Sequence, residues 1–160
     1  MPQQKIVPNL WFDTEAEEAA NFYVDLFDDA RIVSVAHYTE AGPRPAGTVM
    51  TVEFELNGQR FVGINGGPQF KFDEAVSFQI SCEDQDEVDR FWSRLSEGGE
   101  EGQCGWLKDR FGLSWQVVPT GMEELFSDPD QERARRAMEA MLGMQKIDIA
   151  EIRRAADEPS

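Results

Sequence analysis

Apolar and polar positions along this chain trace one arrangement twice. From Ile6 the run IVPNLWFD is apolar and extended, and in the following TEAEEAANFYVDLF the apolar residues recur every three or four positions. From Val76 the run VSFQISCED repeats the extended opening and QDEVDRFWSRLSEGG the helical continuation. Each copy closes on a glycine turn and a short apolar run, LNGQRFVGING in the first and DRFGLSWQVVP in the second. The copies extend from Ile6 to Gly67 and from Val76 to Pro119. Paired strand–helix–strands units of this kind often cup a small-molecule site.

In the first copy the pattern predicts a strand over Lys5–Asp13, with Pro8 restricted to its start or to an edge. Asp13 or Thr14 is placed to cap a helix, and Glu17 follows Thr14 at capping-box spacing. Ala16, Ala19, Ala20, Tyr23, Leu26 and Phe27 form that helix's apolar face. A strand over Arg31–Thr39 and an exposed loop over Glu40–Gly47 come next. Thr48–Leu56 alternates as a half-buried strand, and Asn57-Gly58 predicts a hairpin to Gln59–Asn65. Residues 66–73 form the linker between copies.

The second copy predicts a strand over Ala75–Cys82. A helix over Asp84–Ser96 buries Val88, Phe91, Trp92 and Leu95 and stops at Gly98-Gly99. One weak strand over Glu100–Leu107, a tight turn over Asp109–Gly112 and a closing strand over Leu113–Val118 complete it. Beyond Pro119, Asp128 is placed as N-cap with Pro129 at the first helical position. That helix runs to Leu142, ends at Gly143, and is followed by a last helix over Ile147–Ala156. Met138, Met141, Leu142 and Met144 form an apolar side that must pack on the domain or on a second subunit.

Composition narrows the function. A chain of 160 residues, 41% hydrophobic, suits a single domain over 1–160, with modules at 5–67 and 75–119 and a helical extension over 120–160. The net charge of −16 repels phosphate backbones and no basic stripe offsets it, which excludes nucleic acid as a natural partner. No apolar run approaches the roughly 20 residues of a membrane span. The opening MPQQKIVPN lacks a secretory pattern, and with only Cys82 and Cys104 the expectation is a cytoplasmic protein with reduced thiols.

The candidate chemistry is sparse. His37, the one histidine, would be the natural general base, but no Asp or Cys near it in sequence orients it, and its main reading is structural or surface. Cys82 belongs to the core. Cys104, in Gln103-Cys104-Gly105-Trp106, is a thiol flanked by glycines and a tryptophan, with edge-strand packing as its competing role. Trp11, Trp106 and Trp115, with Tyr38 and Phe61, are the aromatics for an apolar pocket, and Asn65 and Gln116 its polar groups. Core packing competes for each tryptophan. Acidic residues in the first helical turns are explained by the helix dipole.

IVPNLWFDTEAEEAANFYVDLF, VSFQISCEDQDEVDRFW and GWLKDRFGLSWQVVP together resemble the vicinal oxygen chelate superfamily of glyoxalase I, bleomycin-resistance proteins and extradiol dioxygenases. Within it the chain is most similar to the PhnB-like group, often called 3-demethylubiquinone-9 3-methyltransferases. The resemblance implies an α+β fold: two βαβββ modules forming curved mixed sheets, with a C-terminal helical extension, in a homodimer. Metal-dependent members take four ligands from the first and last strands of the two modules. The matching positions here are Pro8, Val62, Ser77 and Gln116, and a shift of one residue supplies no tetrad either. No metal and no cofactor are therefore expected. A methyltransferase would cradle its cofactor on a glycine-rich turn after the first strand, whereas this chain has no glycine before Gly42. The leading expectation is a metal-free protein binding a small apolar or oxygenated metabolite. An enzyme of lyase, dioxygenase or transferase type, using an undetected metal or Cys104, and an acidic dimeric protein-interaction module remain the alternatives.

Overall fold

A computed structural model describes residues 4–158 and divides the chain into two compact units, the first ending at Phe72 and the second beginning at Asp73. In the first unit, β1 (Asn9–Phe12), α1 (Ala16–Leu26), β2 (Ala30–His37), β3 (Val49–Leu56) and β4 (Gln59–Asn65) form a four-stranded sheet in the order β1-β4-β3-β2. β1 runs parallel to β4, and the remaining pairs are antiparallel. The alternation in β3 does what its period demands: Val52, Phe54 and Leu56 are buried beneath α1, and Thr51, Glu53 and Glu55 face the other way. Ala16, Ala19, Ala20, Tyr23 and Leu26 form the buried stripe of α1, and Phe54 stacks between Tyr23 and Phe61. Asn57 and Gly58 both have positive φ, the geometry of a two-residue hairpin turn.

Two expectations are corrected in this unit. β1 begins at Asn9, not Lys5. The capping box at Thr14 and Glu17 does not form: Glu15 occupies the cap position with no side-chain bond to a helix N–H, and the Ala16 N–H is satisfied by Asn65 Oδ1 at 2.8 Å. A tertiary acceptor, invisible to local spacing, has replaced the local one.

The second unit repeats the design with β5 (Ser77–Cys82), α2 (Gln85–Ser96), β6 (Glu100–Glu101), β7 (Trp106–Lys108) and β8 (Ser114–Pro119), in the order β5-β8-β7-β6. Asp84 caps α2 by accepting from Glu87 N at 2.9 Å, and Val88, Phe91, Trp92 and Leu95 are its buried residues. The single weak strand expected over Glu100–Leu107 is instead two short antiparallel strands. Cys104 and Gly105, both at positive φ, turn the chain between them, and this completes the βαβββ pattern.

The C-terminal segment adds α3 (Met122–Phe126), α4 (Gln131–Leu142) and α5 (Ile149–Asp157). α3 was not signalled by the sequence pattern. The cap of α4 is Asp130 rather than Asp128, whose carboxylate accepts from Asp130 N and pairs with Arg133 at 3.0 Å. Met122, Ala137, Ile147, Ile152 and Ala156 make a small core of their own, with Met141 and Met144 packed against it. Met138 and Leu142 stay exposed, so the expected apolar side of α4 is divided between packing and solvent.

Cys82 is fully buried, and burial pushes its thiol up to about 12, with the Glu87 carboxylate adding to the effect. The folded chain therefore keeps this proton where the unfolded chain, ionising near 9.0, has lost it. Stability falls as pH rises from that value toward 12. Iodoacetamide at about pH 8 is expected to modify the half-buried Cys104 and to reach Cys82 only after denaturant is added. Equal rates of labelling in the native protein would contradict this assignment.

Candidate functional site

The second unit's sheet has α2 on one face, where Trp115 and Val117 of β8 are buried. Period two places Ser114 and Gln116 on the opposite face. Gln116 is register partner to Trp106 of β7, and Ser114 to both Ser77 of β5 and Lys108 of β7. Gln116 Nε2 donates to Ser77 Oγ at 2.9 Å, which fixes the amide and leaves its carbonyl oxygen without a bond to any described residue. Ser114 is 1% exposed, and its hydroxyl has no hydrogen-bond partner among the described residues. A buried hydroxyl without a partner costs about 1–3 kcal/mol, so this face carries an unmet polar demand. At its margin Lys108 pairs with Glu74, whose carboxyl is held below its ordinary range by that ammonium.

The hairpin joining β7 and β8 positions this face. Asp109 is 2% exposed; its Oδ1 accepts from Phe111 N and Leu113 N at 2.9 and 3.0 Å, and its Oδ2 from Trp115 Nε1 at 2.9 Å. Trp115 is therefore a buried residue tied to the turn. Asp at the head of a tight turn is a recognisable turn signal, but its bond to Trp115 Nε1 reaches across the hairpin and has no signal in local spacing.

The adjoining loop carries Cys104. Its backbone N–H donates to Met144 O and that of Gly105 to Gln145 O, both at 2.8 Å. Gln85 completes the clamp, donating to Ile147 O at 2.9 Å and accepting from Ile149 N at 2.8 Å. The Gln103–Trp106 motif thus seats the C-terminal segment on the second module. Trp106, half-buried, remains on the Gln116 face.

The other candidates lie in the first unit. Phe61 is core, stacked on Phe54 at 5.4 Å. Trp11 is half-buried, donates to Gly67 O at 2.9 Å and meets Phe70 edge-on at 4.9 Å. Tyr38 donates to Asn65 O at 2.5 Å. The Asn65 side chain accepts from Ala16 N and donates to Val49 O at 3.1 Å, so both of its polar ends are occupied. His37 is exposed at the end of β2.

Comparison with known proteins now bears on these modules. Residues 4–118 match the model of the family described as 3-demethylubiquinone-9 3-methyltransferase. The PhnB protein of Bacillus cereus superimposes with a TM-score of 0.68 at 39% identity, over 73% of this chain and 100% of that one. The chain belongs to this family. Two further structures share the PhnB-like fold at lower identity. A Pseudomonas aeruginosa protein has a TM-score of 0.61 at 20% identity, over 73% of this chain and 98% of that one. The fosfomycin resistance protein FosX of Mesorhizobium loti has 0.52 at 13%, over 78% and 98%. None of the curated proteins compared with the chain matches it. The family match ends before α3, so α3, α4 and α5 lie outside it.

The chemistry that the PhnB-like relationship implies can be tested on the residues. Val62 pairs with Asn9 and Gln116 with Gln79, so the first-unit counterpart of Ser77 is Val7, one residue from the expected Pro8. Neither residue offers a donor, and Val62 offers none. Among the described residues no three His, Cys, Asp or Glu side chains are grouped to hold a metal. These residues do not fit the superfamily's metal. They do not fit a methyl-donor cofactor either: each sheet is a four-stranded mixed sheet, not a doubly wound parallel one, and β1 passes into α1 through Asp13, Thr14 and Glu15 without a glycine.

Proposed function

We propose that this PhnB-like protein binds a small oxygenated metabolite without a metal, on the sheet face that carries Ser77, Trp106, Ser114 and Gln116. The observation that carries the reading is the polar set itself. Ser77 and Gln116, at positions the resemblance matches to metal ligands, form a serine-held amide whose carbonyl is open among the described residues, and the buried hydroxyl of Ser114, unpartnered among them, lies on the same face. Amide and hydroxyl groups hydrogen-bond carbonyl and hydroxyl oxygens, whereas they are poor ligands for a divalent ion. Trp106 beside Gln116 supplies the apolar wall expected of such sites. The family relationship favours a homodimer, and two unpaired cysteines favour the cytoplasm.

The test is a pair of titrations on protein purified without chelator. Zinc and manganese are expected to give no saturable heat. A panel of small hydroxy- and keto-compounds is expected to include one that quenches Trp106 fluorescence saturably, with the response lost in Gln116→Leu. A stoichiometric metal that Gln116→Leu abolishes, or quenching indifferent to that substitution, would overturn the reading.

A further inference from the structure

We propose that the first unit holds a separate site, a cleft beneath the β2–β3 loop that takes a small molecule bearing an anionic group, carboxylate or phosphate, seated on Arg44. The cleft measures about 460 Å³ and is lined by Thr14, Glu17, Arg44, Thr48, Val49 and Asn65, among others. That volume suits a small metabolite. Thr14 just precedes α1 and Glu17 lies in its first turn, while Val49 is at the start of β3 and Asn65 at the end of β4. The site thus lies at the sheet end where α1 begins and is not on the β-sheet face away from that helix.

Arg44 is the decisive residue. The chain holds 31 acidic and 15 basic residues, so a guanidinium has many carboxylates from which to take a partner. Arg31, Arg60, Arg133, Arg135 and Arg154 each have one. Arg136 instead donates to the carbonyls of Ala155 and Ala156, and Arg90 and Arg110 lie over phenylalanine rings. Arg44 is half-buried and makes no ion pair or hydrogen bond with the described residues, although Glu17 lines the same cleft. Partial desolvation of an unpaired guanidinium is unfavourable, and its planar fork matches carboxylate and phosphate oxygens.

The loop holds this group in place. Tyr38 N donates to Thr48 O at 2.8 Å, Gly47 N to Tyr38 O at 2.9 Å, and Thr48 Oγ1 to Pro45 O at 2.7 Å. Tyr38 Oη ties the loop to Asn65. The guanidinium lies against Gly67, where a Cβ would come within 3.1 Å of Arg44 Nη1, so the absence of a side chain there leaves room for it. The first turn of α1 carries Glu17 and Glu18, so the attraction for an anion rests on Arg44, and Glu17 favours a ligand that also carries a donor.

Inorganic phosphate and acetate serve as separate probes of the two anion classes, followed by amide chemical shifts of the full chain. Either probe is expected to shift Gly47, Thr48 and Val49 saturably. Arg44→Met should weaken that response about tenfold or more, and Arg44→Lys should restore part of it. The exposed Arg153→Met and the second-unit Gln116→Leu should leave it unchanged, which separates this site from the proposed function above. No saturable shift with either probe, or an undiminished response in Arg44→Met, would overturn the assignment.

Discussion

Asp109→Ala is expected to lower the stability of the protein by about 3–5 kcal/mol, the largest loss of any single side chain around the candidate site. The carboxylate collects three N–H groups, from Phe111, Leu113 and the Trp115 indole, and both Leu113 and Trp115 are almost wholly buried. Removing it strands these donors at about 1–3 kcal/mol each, reduced where water enters the space. Against a typical total of about 5–15 kcal/mol, such a loss leaves much of the protein close to unfolding. Asp109→Asn is the informative companion. It can keep both backbone bonds while turning an amide N–H toward Trp115 Nε1, so about 1–2 kcal/mol should be lost. Urea midpoints at neutral pH measure both. Equal losses in the two variants would show that the Trp115 bond, and not the turn, carries the energy; a loss under about 1 kcal/mol in Asp109→Ala would refute the whole assignment.

Gly105→Ala is expected to cost about 2–4 kcal/mol and to loosen the C-terminal segment at the same time. Gly105 has φ +84°, where a side chain is strained, and its Cβ would lie 2.7 Å from Val117 O and 2.9 Å from Ile147 Cδ1. Backbone cannot yield cheaply on one side, and Ile147, 1% exposed, is at the core of the C-terminal cluster on the other. Gly112→Ala provides the contrast, because φ is +88° there but no atom lies within 4 Å, leaving only the backbone strain of about 1–2 kcal/mol. Hydrogen exchange reports the second effect. The amides of Cys104, Gly105 and Ile149, which bond Met144 O, Gln145 O and the Gln85 side chain, should lose protection together in Gly105→Ala and keep it in Gly112→Ala. Unchanged protection would mean that the loop does not seat the segment.

Family membership and the candidate site stand in different relation to these residues. The strand–helix–strands repeat was legible because it is built from local periodicity: alternation in β3, the 3.6-residue stripe of α2 and the Asn57-Gly58 turn appear where spacing places them. The missing metal donors were legible for the same reason, since an offset of one residue in β1 exchanges Pro8 for Val7 without creating a ligand. The division of 100–108 into β6 and β7 was not, because it depends on two residues at positive φ, one of them the non-glycine Cys104.

The sequence by itself determined most of the strands and helices, α3 and the separation of β6 from β7 apart, since hydrophobic periodicity and turn residues act over a few positions. Tertiary structure alone decided what the flagged polar and aromatic side chains do. Asn65, offered by its residue type as a pocket group, spends its amide on the N-terminus of α1 and on Val49 O. Trp115 bonds a turn carboxylate, and the Cys104 loop becomes the seat of a C-terminal segment some 40 positions away. Arg44, in a loop with no pattern to single it out, lines a cleft and has no ion pair or hydrogen bond among the described residues. Hydrogen-bond partners distant in sequence meet only once the sheets are assembled, so burial and pairing, unlike periodicity, are properties of the folded chain.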